Sequence, residues 1–277
     1  MTNTTNGKVK VLYCNCSNSS IIPEALKQDV QSALIKSGTD ICAVPDLCGM
    51  AARRDPRLMH IAAAENLTII ACYPRAVRWL FFSAGLTLPE TVNILNMRTQ
   101  TVEQINSALP RGTGQRETGD ASLSFMPETM DDSGEEPWIP WFPVIDYSRC
   151  KDCKQCASFC LFGTYDMVNG KVTVTNPSHC KNNCPACARI CPEAAIIFPK
   201  LAESPINGDE VRNEEEVRAL IKLNTEVMLG SDIYAALAER RKKAKQMLLK
   251  KKDGARSGAS AQAYMERQKH LDNEKHL

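Results

Sequence analysis

Thirteen cysteines stand out in a chain of 277 residues, and eight of them fall in two compact runs. The first run is Cys150-x2-Cys153-x2-Cys156-x3-Cys160, and the second is Cys180-x3-Cys184-x2-Cys187-x3-Cys191, followed by Pro192. Four thiolates in so few residues crowd a single tetrahedral ion. They can instead cover a cubic iron–sulfur cluster, in which each sulfur reaches a different iron. A zinc ribbon calls for two Cys-x2-Cys knuckles on either side of a longer spacer, and three evenly spaced cysteines with a fourth beyond them do not fit it. Disulfides are not expected. The cysteine count is odd, and the polar stretch from Met1 to Lys10 lacks the apolar core of a secretory signal.

The two runs resemble the bacterial ferredoxin domain that carries two [4Fe–4S] clusters, over roughly residues 143–200. In that family the first three cysteines of a run hold one cluster, and the fourth reaches across to the other. The resemblance therefore implies one cluster on Cys150, Cys153, Cys156 and Cys191, and a second on Cys160, Cys180, Cys184 and Cys187. Two departures stand in the pattern. Leu161 takes the place of a proline that often follows the fourth cysteine, and the Cys180–Cys184 spacing is one residue longer than usual. Neither removes a ligand, and the longer loop is expected to alter the second cluster's potential.

Before these runs, residues 8–99 alternate strand-like and helix-like signals. Strands are expected at Val9–Tyr13, Asp40–Val44, Leu67–Ala71 and Val92–Leu95. Helices are expected from Pro23 to Ser37 with Gly38 as the stop, from Asp55 (as N-cap) to Ala64, and from Pro74 to Ala84. Such alternation implies a parallel α/β sheet, whose strands end on one common edge where ligands bind. Cys14 and Cys16 leave the first strand, Cys48 sits in the loop after the second, and Cys72 ends the third, so four thiols converge on that rim. Cys42 lies within the second strand and reads as a packing residue.

Cys14-x-Cys16, Leu47-Cys48, Cys72-Tyr-Pro-Arg75, Phe81-Phe82 and Ala84-Gly85-Leu86 together resemble the N-terminal, cluster-bearing domain of the flavin-carrying subunit of heterodisulfide reductases. The resemblance implies a third iron–sulfur cluster on Cys14, Cys16, Cys48 and Cys72. Ser17 departs from it, standing where that family has glycine, and no Gly-x-Gly-x-x-Gly stretch for a flavin module follows. Ordinary buried thiols, a redox-active Cys14–Cys16 pair and a zinc site are the other readings of these residues.

The remaining segments connect and extend. Residues 100–141 are rich in Gly, Ser and acidic side chains and read as a linker. The aromatics at its end, Trp138, Trp141 and the adjoining Phe142, are expected to pack against the ferredoxin-like domain. Within residues 142–200 a strand is expected at Phe142–Asp146, and a hairpin at Tyr165–Val174 turning on Asn169-Gly170. Short helices are expected from Ser158 and Cys187. His179, next to Cys180, reads either as an exposed turn residue or as a hydrogen-bonding neighbour of the second cluster. Residues 201–277 are expected to be a helical, basic, partly disordered tail, with one helix opening at Glu214–Glu216 and another running towards Lys252. Its basic run from Arg240 to Lys252 reads as a solvated helix face or a dock for an acidic partner or anionic lipid.

The expected architecture is α+β overall, with domains at 1–99, 142–200 and 201–277 around the 100–141 linker. A net charge of +2 argues against a general nucleic-acid binder, and no apolar run is long enough to span a bilayer. A soluble cytoplasmic protein is expected. No catalytic constellation emerges, so the reading is one-electron relay through two [4Fe–4S] clusters, with a third in the N-terminal domain. The chain is expected to serve as a subunit or dedicated partner of a flavin- or metal-containing oxidoreductase. The alternative is a thiol–disulfide redox enzyme that uses the N-terminal cysteines, fed by the ferredoxin domain.

Overall fold

The computed structural model describes residues 11–110, 123, 125–127, 138–229, 235, 239 and 242. The chain divides into two compact units, Met1–Ile139 and Pro140–Leu277. Among the described residues, no helix is long and apolar enough to cross a membrane.

The first unit is built on a parallel sheet of four strands, β1 (Val11–Cys14), β2 (Ile41–Val44), β3 (Thr68–Ala71) and β4 (Asn93–Asn96), in the order β2-β1-β3-β4. Every residue of β1 and β3 is buried, as befits central parallel strands covered on both faces. Parallel pairing demands crossovers, and the helices supply them. The first, α1 (Glu24–Ser37), stops at Gly38, whose φ of 63° is the left-handed conformation that ends a helix.

A short helix, α2 (Leu47–Arg53), replaces the loop expected after β2, so Cys48 is helical. The Asp46 carboxylate caps it by accepting the Gly49 N–H at 3.0 Å, and Leu47, Met50 and Ala51 anchor it in the core. Next come α3 (Arg57–Ala62), with the Asp55 carboxylate accepting the Arg57 N–H at 3.0 Å, and α4 (Pro74–Ser83). A further helix, α5 (Val102–Ala108), lies inside the stretch read as linker. Its signature is a capping box between Thr101 and Gln104, and Ile105 is its one buried side chain, so apolar periodicity could not reveal it. Part of the same stretch also lies along the sheet edge. Phe125 bridges to Ala43, and the Met126 N–H donates to the Ala43 carbonyl at 2.8 Å.

In the second unit, β5 (Val144–Ile145) pairs antiparallel with β8 (Ile196–Ile197), and β6 (Tyr165–Val168) pairs with β7 (Lys171–Val174). The β6–β7 turn has φ of 50° at Asn169 and 80° at Gly170, the two positive values a type I′ turn requires. Two short helices carry cysteines. The first, α6 (Gln155–Phe159), begins inside the first cysteine run rather than at Ser158, and α7 (Ala186–Arg189) spans Cys187. Trp141, Phe198, Ile196 and Val172 fill the core between the strand pairs.

The last helix, α8 (Glu214–Leu229), opens on three glutamates, and the Asn213 side chain accepts the N–H groups of Glu215 and Glu216. An Arg149–Glu214 ion pair of 2.8 Å ties its start to the loop before Cys150. Ala235, Glu239 and Lys242 are helical. The rest of the expected helix after Ser231, with most of the basic run Arg240–Lys252, lies outside the described residues. So do the start of the first strand, most of the linker and the tail from Asp253.

Candidate metal centres

The two cysteine runs meet around two cavities in the second unit. Cys150, Cys153, Cys156 and Cys191 line the first, with Ile145, Val172 and Ile196 as its apolar wall. Cys160, Cys180, Cys184 and Cys187 line the second, beside Phe159, Leu161, Phe162 and Met228. Each cavity thus takes three cysteines from one run and one from the other. The first is narrow, about 20 Å³, and the second is wide, about 310 Å³.

Local backbone explains how eight thiols can turn inward. Asp152 and Lys154, on either side of Cys153, have φ of 50° and 65°, and Asn183, before Cys184, has 58°. Residues in this left-handed conformation break the helical path and turn successive N–H groups towards one side, the arrangement that cradles anions. The Cys191 sulfur accepts the Ala195 N–H at 3.4 Å. At Cys156 the Ala157 N–H, and at Cys150 the Asp152 N–H, act in the same sense.

Burial pushes the Cys180 thiol up to about 12, and raises those of Cys150, Cys156, Cys187 and Cys191. Neighbouring thiolates add to the effect. Cys191 acts on Cys156, Cys160 acts on Cys180, and both Cys156 and Cys160 act on Cys187, so the thiols of the two cavities also influence each other. Cys150, Cys156, Cys180, Cys187 and Cys191 therefore resist ionisation unless a cation compensates them, which a cluster's iron would do.

In the first unit the sheet order reverses between β1 and β3, which makes the crevice beyond their C-terminal ends a topological switch point. Cys14 closes β1, Cys16 follows it with φ of 50°, and Cys72 follows β3. Cys48 stands in the first turn of α2. The Leu47 N–H donates to the Cys14 sulfur at 3.3 Å, fastening α2 to that edge. Ser17 finds a use where the resembled family has glycine, since its N–H and hydroxyl both donate to the Pro45 carbonyl.

Burial raises Cys14 well above the usual thiol range and Cys72 to about 12, with Cys16 acting on both. Arg98, stacked 4.9 Å over the Tyr73 ring, counters the rise at Cys72. Cys42, half-buried on β2, has the Met126 sulfur 3.2 Å away, in keeping with a packing role.

Among the described residues, no group of three or more His, Cys, Asp or Glu is placed to hold a single metal ion. A zinc ion needs all its thiolates about 2.3 Å from one point. A cubic cluster needs them distributed around a volume, which is how both cavities present them. The donor sets, four thiols each, with N–H groups directed at sulfur in the first cavity and hydroxyls in the second, fit an iron–sulfur core.

Two features of the sites carry no spacing signal in the sequence. The Tyr165 hydroxyl donates to the Cys187 sulfur at 3.1 Å, and Thr164 Oγ1 lies 3.5 Å from the Cys160 sulfur. The Asp152 carboxylate lies 3.9 Å from the Cys150 sulfur and accepts the Val172 N–H at 2.9 Å.

Compared with known proteins, the chain is 56% identical over 62 residues to an uncharacterized ferredoxin of Methanocaldococcus jannaschii. The match covers 22% of this chain and 42% of that ferredoxin. No protein-family model matches the chain, and no solved structure does.

Proposed function

We propose that the chain is an iron–sulfur electron-transfer protein, with two [4Fe–4S] clusters in its second unit and a third centre at the strand edge of its first. One observation carries the reading. Each cavity of the second unit draws three cysteines from one run and the fourth from the other. That is the crossed ligand set expected of a two-cluster ferredoxin domain. The likeness to a protein named a ferredoxin supports an iron–sulfur electron-transfer role in general.

Bound at these sites, such clusters would supply one-electron redox chemistry. The chain's residues do the rest. Cys150, Cys153, Cys156 and Cys191 hold one cluster, and Cys160, Cys180, Cys184 and Cys187 the other. N–H groups such as that of Ala195 meet the negative charge that reduction adds. Apolar walls help keep water from Cys156, Cys187 and Cys191, which are buried. The narrow first site, about 20 Å³, must widen to admit a cubic core.

Cys14, Cys16, Cys48 and Cys72 hold the third centre, favoured by their places after the C-terminal ends of β1, β2 and β3, next to the switch point of the sheet. The competing thiol–disulfide reading requires an accessible attacking thiol, and Cys14 and Cys16 are only 6% and 9% exposed. A relay needs a donor and an acceptor, and we assign the chain as a subunit or dedicated partner of a flavin- or metal-containing oxidoreductase. Exposed Leu161 and Phe162 beside the second cavity supply an apolar patch for docking next to Cys160.

Anaerobic reconstitution followed by iron and acid-labile sulfide analysis tests the assignment. About twelve irons per chain are expected, against about eight if the first unit holds no cluster. Zinc in place of iron would overturn it. The partner role predicts co-purification with a redox protein, and free exchange of electrons with several unrelated reductases would count against it.

A further inference from the structure

The two cavities differ in what meets their sulfurs. Among the described residues, no serine, threonine or tyrosine lines the first. The second is lined by adjacent hydroxyl residues, Thr164 and Tyr165, which are 0% and 7% exposed. Tyr165 opens β6 and directs its phenol at Cys187, from the second run, while Thr164 stands at Cys160, from the first. One dipeptide therefore contacts two thiols brought from different cysteine runs.

Ligation fixes the sense of these contacts. A thiolate bound to iron has no proton to give, so each hydroxyl must be the donor and each sulfur the acceptor. Hydrogen bonds to ligand sulfur draw off negative charge and favour the reduced state, which carries one electron more. Neither hydroxyl can easily turn to water from its buried position.

We infer that Thr164 and Tyr165 set the potential of the second cluster alone, raising it through hydrogen bonds to the Cys160 and Cys187 sulfurs. This rests on the two-cluster reading above. Reduction adds one electron from the external donor, forms and breaks no covalent bond, and leaves the phenolic proton on Tyr165. The two hydroxyls act as positioning and tuning groups and exchange nothing with a substrate.

The test is a redox titration of the reconstituted full-length chain, followed by EPR, for the native protein, Tyr165→Phe and Thr164→Val. Both substitutions keep the side chain's shape, so iron content should hold. The second-cluster potential should fall in each variant and fall furthest in Tyr165→Phe, while the first-cluster potential stays in place. Resonance Raman supplies a second readout, because loss of the hydrogen bond should move an iron–sulfur stretching band upward and abolish its shift in deuterated buffer. Full iron content with unchanged potentials and bands in both variants would overturn the inference and leave the cluster assignment standing. Equal shifts in both clusters would also overturn it. A native chain that binds no iron would remove the cluster assignment and this inference together.

Discussion

Cys191 shows most directly what the residue scale contributes. In sequence it closes the second run, yet in space it lines the first cavity, where its sulfur accepts the Ala195 N–H. Replacing Cys191 with alanine should therefore damage the site of Cys150, Cys153 and Cys156, and spare the one formed by its own neighbours, Cys184 and Cys187. Iron analysis of Cys191→Ala should show a loss of up to about four irons. The EPR signal that survives should be the one that Tyr165→Phe perturbs. The crossing was legible from spacing once the ferredoxin resemblance was recognised. The hydroxyls of Thr164 and Tyr165 were not, because nothing in residue order tells which side of a strand faces a given sulfur before the hairpin and the cysteine loops are placed together.

At the scale of elements, apolar runs made the strands of the first unit readable, since β1 and β3 are buried along their whole length. Gly38 and the Asn169-Gly170 turn were readable for a different reason, their need for left-handed backbone. Among the short helices, α2 and α5 escaped, while α6 and α7 were expected with later starts, at Ser158 and Cys187. Two turns carry too little periodicity to register, and α6 and α7 hold cysteines whose spacing answers to ligation rather than to helix packing. For α2 the informative residue is Asp46, which is 2% exposed and caps the helix that carries Cys48. Asp46→Ala should cost about 1–2 kcal/mol through the lost cap. A lower urea midpoint for the first unit, with iron in the second unit retained, would bear this out. An unchanged midpoint would mean that Leu47, Met50 and Ala51 hold α2 without the cap.

The whole molecule joins two compact units with cysteine-rich sites of different construction. The second unit's sites are built from local runs, so their cysteines could be read from spacing alone. Those of the first unit, Cys14, Cys16, Cys48 and Cys72, come from three separate connections of the sheet. The alternation of strands and helices assigns them to one rim, and the strand order β2-β1-β3-β4 adds the switch point beside them. This division leads to a prediction for the full chain. Cys72→Ser should lower the iron content from about twelve to about eight per chain and leave both second-unit potentials unchanged. If iron stays at about eight in both proteins, the first-unit cysteines are packing residues, and the protein has two clusters.

The central claim is that the second unit holds two neighbouring clusters on crossed ligands. EPR of the anaerobically reconstituted, fully reduced Cys72→Ser chain tests it most directly, because any third centre is then absent. The account predicts about eight irons and a spectrum broadened by interaction between two reduced centres. A single unbroadened signal with about four irons, or a zinc-loaded protein that cannot be reduced, would contradict it.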